Sequence, residues 1–184
     1  DLKEFIALAK SSPKQLSYGS TGAGQSYHLN AAAISSASGL NLLHVPYKGA
    51  VEALNDVVGG RVDATFGSLP TAIGMIKANR VRPLAVISLQ RNARLPDVPT
   101  FGEIGIPILP AWFGMLAPKG TPDAVVRKVN GDVREIVREP SFGARFAEEG
   151  IHVIGSTPEE FAAKLVSDVA AWKKIIADAG IQAE

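Results

Sequence analysis

Apolar positions near the start of the chain alternate between helical and strand spacing. Residues 2–9 repeat apolar side chains at helical spacing, and the short apolar run at residues 16–18 predicts a strand. A glycine loop at residues 19–24 follows directly and leads into a predicted helix over residues 25–38, which Gly39 ends. The first clear unit of the chain is therefore a strand, a glycine loop and a helix.

The same alternation continues to residue 87. Strands are predicted over residues 42–45, 62–66 and 84–87, and helical segments over residues 51–58 and 69–79 separate them. Since parallel strands need a crossover connection and these helices supply it, the pattern predicts an α/β fold with a mostly parallel sheet.

Prolines and arginines between residues 91 and 110 indicate an extended connection. We predict a lobe boundary there, which divides the chain into residues 1–108 and 109–184. After the boundary, strands are predicted over residues 112–117 and 151–154. A helix with Thr121 as its N-cap follows the first strand, and a short helix is predicted over residues 142–149. A capping box at residues 157–160 predicts the start of a final helix.

Composition narrows the classes of function. The 184 residues carry 19 lysines and arginines against 18 aspartates and glutamates, a net charge of +1, which removes the electrostatic footprint of a nucleic-acid-binding protein. Without cysteine there are no disulfides, thiolate metal sites or cysteine nucleophiles. The three histidines lack metal-ligand spacing, and no serine elbow or carboxylate pair suggests a catalytic residue. We therefore predict no metal, no cofactor and no catalytic site.

The glycine loop is the main chemical signal in the sequence. A helix start leaves backbone N–H groups free and carries partial positive charge, and glycines let a bound group approach the backbone. Ser20, Thr21 and Ser26 add hydroxyl donors. Together these features predict an anion site that needs no arginine or lysine. The alternative is a tight turn with a helix cap and no ligand.

Two nucleotide-binding patterns fail at this loop. Gly19, Gly24 and Ser26 fit a phosphate loop, but Gln25 replaces the lysine that would reach the phosphates. Tyr27 stands where a dinucleotide-binding loop would have its last glycine. The loop therefore favours a small anion, most simply a carboxylate.

Two further loops leave strands in the same direction as the glycine loop. Tyr47 and Lys48 offer an aromatic wall and a cation, and Ser68 offers a hydroxyl at another helix start. His28, in the first turns after the glycine loop, could also face the ligand. The alternatives are interface packing for Tyr47, a solvated charge for Lys48, simple capping for Ser68 and local packing for His28.

Five motifs occur in a specific order along the chain. They are residues 18–29 (YGSTGAGQSYHL), 44–49 (HVPYKG), 95–100 (LPDVPT), 112–118 (WFGMLAP) and 157–161 (TPEEF). Together they resemble the substrate-binding proteins of tripartite tricarboxylate transporters, the Bug or TctC-like family. The resemblance extends over essentially the whole chain.

The resemblance implies a type II periplasmic-binding-protein-like fold, in which two α/β lobes close on a small organic acid. It implies a periplasmic receptor that captures a carboxylate and presents it to membrane permease subunits. The family's ligand-binding loop falls on the residues Ser20, Thr21, Gly22, Ala23, Gly24, Gln25 and Ser26. Members often carry aspartate just after the phenylalanine of the third strand. Here Gly67 stands at that position, which leaves Ser68 as the nearer candidate for ligand contact.

The family also has chain before the helix that begins at Leu2. This sequence therefore resembles one complete α/β lobe plus the C-terminal segment of a second lobe. It opens on Asp1 without a signal peptide, so we expect either a removed leader or a start inside a longer protein. Two alternatives stay open: a transferase-type enzyme that holds an anionic substrate in the glycine loop, and a non-binding fragment that self-associates through its incomplete lobe.

Overall fold

The computed structural model describes residues 1–106, 108–148, 150–178 and 180–181 of the chain. Two compact units are present, Asp1–Ala111 together with Trp172–Glu184, and Trp112–Ala171. The predicted lobe boundary near residue 108 concerns the lobes of the family and stays a prediction.

The first unit is built on a small parallel sheet. Its helices are α1 (Leu2–Ser11), α2 (Ser26–Ser38), α3 (Ala50–Val58) and α4 (Leu69–Lys77), followed by a 3-10 turn at Gly102–Ile104. Its strands are β1 (Ser17–Ser20), β2 (Leu43–Pro46) and β3 (Ala64–Thr65). The strand order is β2-β1-β3 and both pairings are parallel, with Tyr18 opposite both His44 and Ala64. The predicted parallel α/β fold is therefore confirmed.

The core of the first unit joins α1 and α2 to the chain that follows α4. Leu2, Ile34, Phe101 and Ile106 are buried against one another, and Phe66 packs at their edge. Burying side chains of this size stabilises a fold by about 1.5–3 kcal/mol each. This core therefore fixes α2, the helix whose first turn follows the glycine loop.

Helix α2 ends where the sequence predicts. Gly39 adopts a left-handed conformation with φ +63°, and its N–H donates to the Ser36 carbonyl. Only glycine takes this conformation without a steric cost, so the residue terminates the helix.

Of the strands predicted in the first unit, one is reduced to a single bridge and another is shorter than expected. The prediction over residues 84–87 is wrong, because the described chain there forms only an isolated parallel bridge between Val86 and Thr100. The strand predicted over residues 62–66 is reduced to Ala64–Thr65. An apolar run becomes a strand only where a partner continues the hydrogen-bonded ladder, and the pattern along the chain does not reveal that partner.

The second unit is helical in the residues that the structure describes. Its helices are α5 (Asp123–Arg138), α6 (Pro140–Glu148) and the part of α7 (Pro158–Asp178) that ends at Ala171. The strands predicted over residues 112–117 and 151–154 are wrong, because no ladder forms at these described positions.

Of the helix starts predicted in the second unit, one is confirmed and two are wrong. The capping box at Thr157 is confirmed: its hydroxyl accepts from the Glu160 N–H at 3.1 Å, and its own N–H donates to the Glu160 carboxylate at 2.8 Å. Thr121 is not the N-cap of α5, which begins after Pro122. The Thr121 hydroxyl instead donates to the Pro118 carbonyl at 2.8 Å. The short helix α6 begins at Pro140 rather than at residue 142.

Trp112 anchors the start of the second unit to α7. Its indole N–H donates to the Asp168 carboxylate at 2.7 Å, and Lys164 donates to the same carboxylate at 2.8 Å. Burial alone would raise the pKa of Asp168, but the hydrogen bonds from Lys164 and Trp112 bring it below its ordinary value. The edge of the Phe161 ring meets the Trp112 ring at a centroid distance of 5.1 Å.

None of the helices in the described part of the chain is long and apolar enough to cross a membrane.

Candidate functional site

The carboxyl ends of the three strands bring the predicted loops to one edge of the sheet. β1 is the central strand, so the loop after Ser20 lies between the loops that follow β2 and β3. The Tyr47 N–H donates to the Ser20 carbonyl at 2.9 Å, and the Phe66 N–H donates to the Gly19 carbonyl at 3.4 Å. Ligands of open α/β sheets commonly bind at this edge. The structure thus brings together the three loops that the sequence singles out.

The glycine loop takes a conformation that needs its glycines. Gly22 has φ +125° and Gly24 has φ +70°, both in the region that side chains disfavour. The Gly22 N–H donates to the Ser20 hydroxyl at 3.3 Å, and the Gly24 N–H donates to His28 Nδ1 at 3.0 Å. Ala23, Gly24 and Gln25 are exposed to solvent. The outer side of the loop is therefore exposed to solvent, and two hydrogen bonds from its N–H groups fix its inner side.

The first turn of α2 keeps unused hydrogen-bond donors. Its N-cap, Gln25, makes no side-chain capping bond. Within the described residues, the backbone N–H groups of Ser26, Tyr27 and His28 have no acceptor. These groups carry the partial positive charge of a thirteen-residue helix. An anion at this end of α2 would meet several donors without any arginine or lysine.

Ser20 keeps its hydroxyl inside the chain, and its predicted contact with a ligand stays a prediction. Its side chain is fully buried, with 0 % exposure. The oxygen lies 2.6 Å from His44 Nε2 and 3.2 Å from the Gly22 carbonyl. Its hydrogen bonds are satisfied inside the chain, so Ser20 shapes the turn that the glycine loop makes.

Two histidines stack beneath the glycine loop. The rings of His28 and His44 have centroids 4.0 Å apart and an interplanar angle of 8°, and Tyr18 stacks on His44 at 5.1 Å. Because His28 Nδ1 accepts from the Gly24 N–H, the proton of its neutral ring lies on Nε2. The position of His44 in the sequence predicts no role for it. The register that pairs β1 with β2 is the signal that could have found it, since position 44 lies opposite position 18.

Both imidazoles are held in the neutral form. Burial lowers the pKa of His28 below its ordinary value of 6.5. Burial, and then the neighbouring His28, lower the pKa of His44. Burial also raises the pKa of Tyr18 to about 12, so this phenol is neutral as well. The inner side of the loop therefore carries no charge at neutral pH.

Tyr47 packs against the sheet and is held there by a carboxylate. Its hydroxyl donates to Asp56 at 2.8 Å, and Arg61 donates to the same carboxylate. Burial and then the Asp56 bond raise the pKa of Tyr47. A Cβ on Gly19 would lie 3.1 Å from Cε2 of this ring, so the glycine lets the ring approach the strand. Tyr47 thus supports the site from one side.

The remaining predicted residues lie around the glycine loop, and we call Lys48, Gly67 and Ser68 the rim of the site. Lys48 is exposed and has no ion-pair partner among the residues that the structure describes. Ser68 is the N-cap of α4, but its hydroxyl bonds to the Thr71 hydroxyl at 2.8 Å rather than capping the helix. Gly67 is exposed, and a Cβ added there would meet nothing within 4 Å. The half-buried Thr21 and Ser26 lie at the two ends of the loop.

Over the described ranges, no group of three or more histidine, aspartate or glutamate side chains is arranged to hold an ion.

A glycine loop and a donor-rich helix start at the carboxyl edge of a parallel sheet form a place where open α/β proteins bind small ligands. The family model described as "Tripartite tricarboxylate transporter family receptor" matches residues 1–181, and the chain belongs to this family. Its members are periplasmic solute-binding receptors, so the transferase alternative is not favoured.

Related proteins match this chain over almost its whole length. A UPF0065 protein in the tcbD-tcbE intergenic region of Pseudomonas sp. (strain P51) is 37 % identical over 182 residues, which cover 97 % of this chain and 54 % of that protein. Protein BugT of Bordetella pertussis is 27 % identical over 181 residues, covering 97 % of this chain and 56 % of that protein. The chain thus spans about half the length of these two relatives.

Solved structures show the same fold. R. palustris Rpa4515 with adipate has a TM-score of 0.83 at 31 % identity, covering 98 % of this chain and 61 % of that one. MatC (Rpa3494) from Rhodopseudomonas palustris with bound malate has a TM-score of 0.73 at 26 % identity, covering 96 % of this chain and 62 % of that one. The predicted fold of a periplasmic binding protein is therefore confirmed.

Proposed function

We propose that this chain carries a carboxylate-binding loop of an extracytoplasmic solute receptor that serves a tripartite membrane transporter. The observation that carries the proposal is the group of three unused N–H donors at the start of α2, next to an exposed glycine loop. The receptor family and the adipate and malate held by two relatives support an organic acid as the ligand.

In this proposal the ligand is held mainly by the backbone. One carboxylate group accepts from the N–H groups of Ser26 and Tyr27, and the Nε2–H of His28 supplies a further donor. Hydrogen bonds to an ionised acceptor are roughly twice as strong as neutral ones. Thr21 and Ser26 add hydroxyls, and the loop from Gly22 to Gln25 lets the ligand come close to the backbone.

The rim residues are assigned supporting roles. Lys48 attracts the anion without holding it, because an exposed cation is well screened by salt. Ser68 offers a second hydroxyl across the edge of the sheet, and Tyr47 keeps the β2 loop in place. Closure of two lobes on the ligand and delivery to the permease subunits belong to the same proposal.

Titration of the chain with small acids tests the proposal by backbone NMR. We expect malate and adipate to shift the amide signals of residues 21–28, while the signals of α5 stay in place. The matched control is the diamide of each acid, which keeps the shape and removes the charge. Shifts produced by a nucleotide but by none of the acids would overturn the proposal.

A substitution at Gly67 tests whether this edge selects anions. The open space around Gly67 accepts a side chain, so Gly67→Asp is expected to fold and to place a carboxylate beside the loop. Repulsion should weaken dicarboxylate binding about 3- to 10-fold at low salt and less at high salt. Gly67→Asn has nearly the same size without the charge, so it separates repulsion from bulk. Equal affinities for the two variants at low salt would contradict the prediction.

A further inference from the structure

We propose that His44 is a positioning residue for the glycine loop, and that protonation of His28 releases the carboxylate bound there. This inference rests on the proposed function and adds a regulation of the same site. It is carried by the contacts beneath the loop, to which the proposed function assigns no role.

The glycine loop is held from the inside by two hydrogen bonds. The Ser20 hydroxyl accepts from the Gly22 N–H at 3.3 Å, and His28 Nδ1 accepts from the Gly24 N–H at 3.0 Å. These bonds fix the two glycines of the loop that have positive φ, Gly22 and Gly24. The direction of the loop therefore depends on two acceptors, a hydroxyl and an imidazole nitrogen.

His44 contacts both acceptors. Its Nε2 lies 2.6 Å from the Ser20 hydroxyl, and its ring stacks on His28 at 4.0 Å. The hydrogen bond orients the hydroxyl and the stack orients the imidazole, but His44 makes no described hydrogen bond to Gly22 or Gly24. Its effect on a ligand is therefore indirect.

Only the neutral form of His28 can hold the loop. A protonated ring carries hydrogen on both nitrogens, so Nδ1 would face the Gly24 N–H as a second donor. The bond would be lost, and the loop would be freed at Gly24. The Ser20 contact responds differently, because an Nε2–H on His44 can still donate to the hydroxyl.

The surroundings of the two rings offer no compensation for a positive charge. Among the described residues, the rings contact Tyr18 from β1, Ser20 at its end, the Gly24 N–H and each other. No carboxylate in the described residues affects the pKa of either imidazole. Burial favours the neutral form of both, and each positive ring would repel the other across the stack.

The sign of the pH effect decides between two roles for His28. If His28 holds the loop as a neutral acceptor, carboxylate affinity falls as pH decreases below the ordinary histidine value of 6.5. If His28 instead acts as a cation that pairs with the ligand, affinity rises over the same range. We expect a decrease of at least about fivefold, which corresponds to the loss of one hydrogen bond.

The first experiment needs no ligand. The chain has three histidines, so an imidazole nitrogen NMR spectrum contains three ring systems. We expect His28 to show protonated Nε2 and unprotonated Nδ1 at neutral pH, and to titrate below the ordinary histidine value of 6.5. A His28 ring protonated at Nδ1 at neutral pH would overturn the inference.

The second experiment measures malate and adipate affinity against pH in matched variants. His28→Asn keeps an acceptor for Gly24 but does not titrate, so we expect its affinity to change by less than about twofold with pH. His152→Asn is the control and should keep the wild-type profile. A wild-type affinity that is constant or rises as pH falls would overturn the inference.

Two variants of His44 separate the effect of its hydrogen bond to Ser20 from the effect of its ring stack on His28. His44→Gln keeps a polar group that can reach the Ser20 hydroxyl, whereas His44→Phe keeps the ring stack and loses that bond. We expect His44→Phe to weaken acid binding about fivefold and His44→Gln to recover most of it. Equal affinities in the two variants would remove His44 from the proposal.

Failure of this inference and failure of the proposed function give different results. If no acid shifts the loop signals at neutral pH, the proposed function is wrong, and the ligand-free histidine spectrum still tests the contacts beneath the loop. If acids bind with an affinity independent of pH, only the coupling to His28 is wrong.

Discussion

Replacing Gly22 with valine is expected to weaken carboxylate binding by about 10- to 100-fold, because a β-branched residue at positive φ costs about 1–3 kcal/mol of strain. Gly22 has φ +125°, and the loop would have to leave this conformation to relieve the strain. The shifted loop would then no longer let the anion approach the N–H groups of Ser26 and Tyr27. Titration with malate and adipate, followed by NMR or calorimetry, measures the loss.

A second glycine provides the matched control for this substitution. Gly74 lies inside α4, and a Cβ added there would meet nothing within 4 Å. Gly74→Ala should leave binding unchanged and stabilise the chain by about 0.5–1 kcal/mol, since alanine favours helix more than glycine does. Wild-type affinity in Gly22→Val would show that the loop conformation is not needed for binding.

Replacing Asn30 with alanine is expected to lower the free energy of unfolding by about 2–4 kcal/mol. Asn30 lies on α2 with 1 % exposure. Its side-chain amide donates to the Leu109 carbonyl at 3.1 Å and accepts from the Leu109 N–H at the same distance. Alanine would remove both partners at once and leave two backbone groups of Leu109 unpaired. Urea denaturation followed by circular dichroism measures the change.

The control for Asn30 is an asparagine on a helix surface. Asn55 lies on α3 and is exposed, so Asn55→Ala should change stability by less than about 0.5 kcal/mol. Asn30→Asp keeps the acceptor and loses the donor, and it should also be destabilising. A midpoint of Asn30→Ala equal to that of Asn55→Ala would show that the contact with Leu109 does not stabilise the fold.

Local features of the chain were predicted well from sequence. The strand, glycine loop and helix follow one another as predicted, although the strand is Ser17–Ser20 rather than residues 16–18, and Gly39 ends the helix. The capping box at Thr157 is likewise present. Each of these features depends on residues within a few positions of one another, so a short window of sequence contains the interactions that form it.

Strands were predicted less well, because a strand needs a partner that is distant in sequence. The apolar run at residues 84–87 finds only one bridging residue, and the runs at residues 112–117 and 151–154 have no ladder partner in the described chain. Phe113, Met115 and Leu116 are correspondingly exposed. Apolar alternation indicates that a segment is able to form a strand but does not identify the backbone that would pair with it.

In the candidate site, too, some features depend on neighbouring residues and others on residues distant in sequence. The sequence by itself determined that a glycine loop enters a helix without a phosphate-binding lysine, because these are properties of neighbouring residues. Only the tertiary structure decided that Ser20 turns inward and that His44 lies beneath the loop. Residues 20 and 44 meet because β2 pairs with β1, and this pairing is set by hydrogen bonds and packing across the sheet rather than by local propensity.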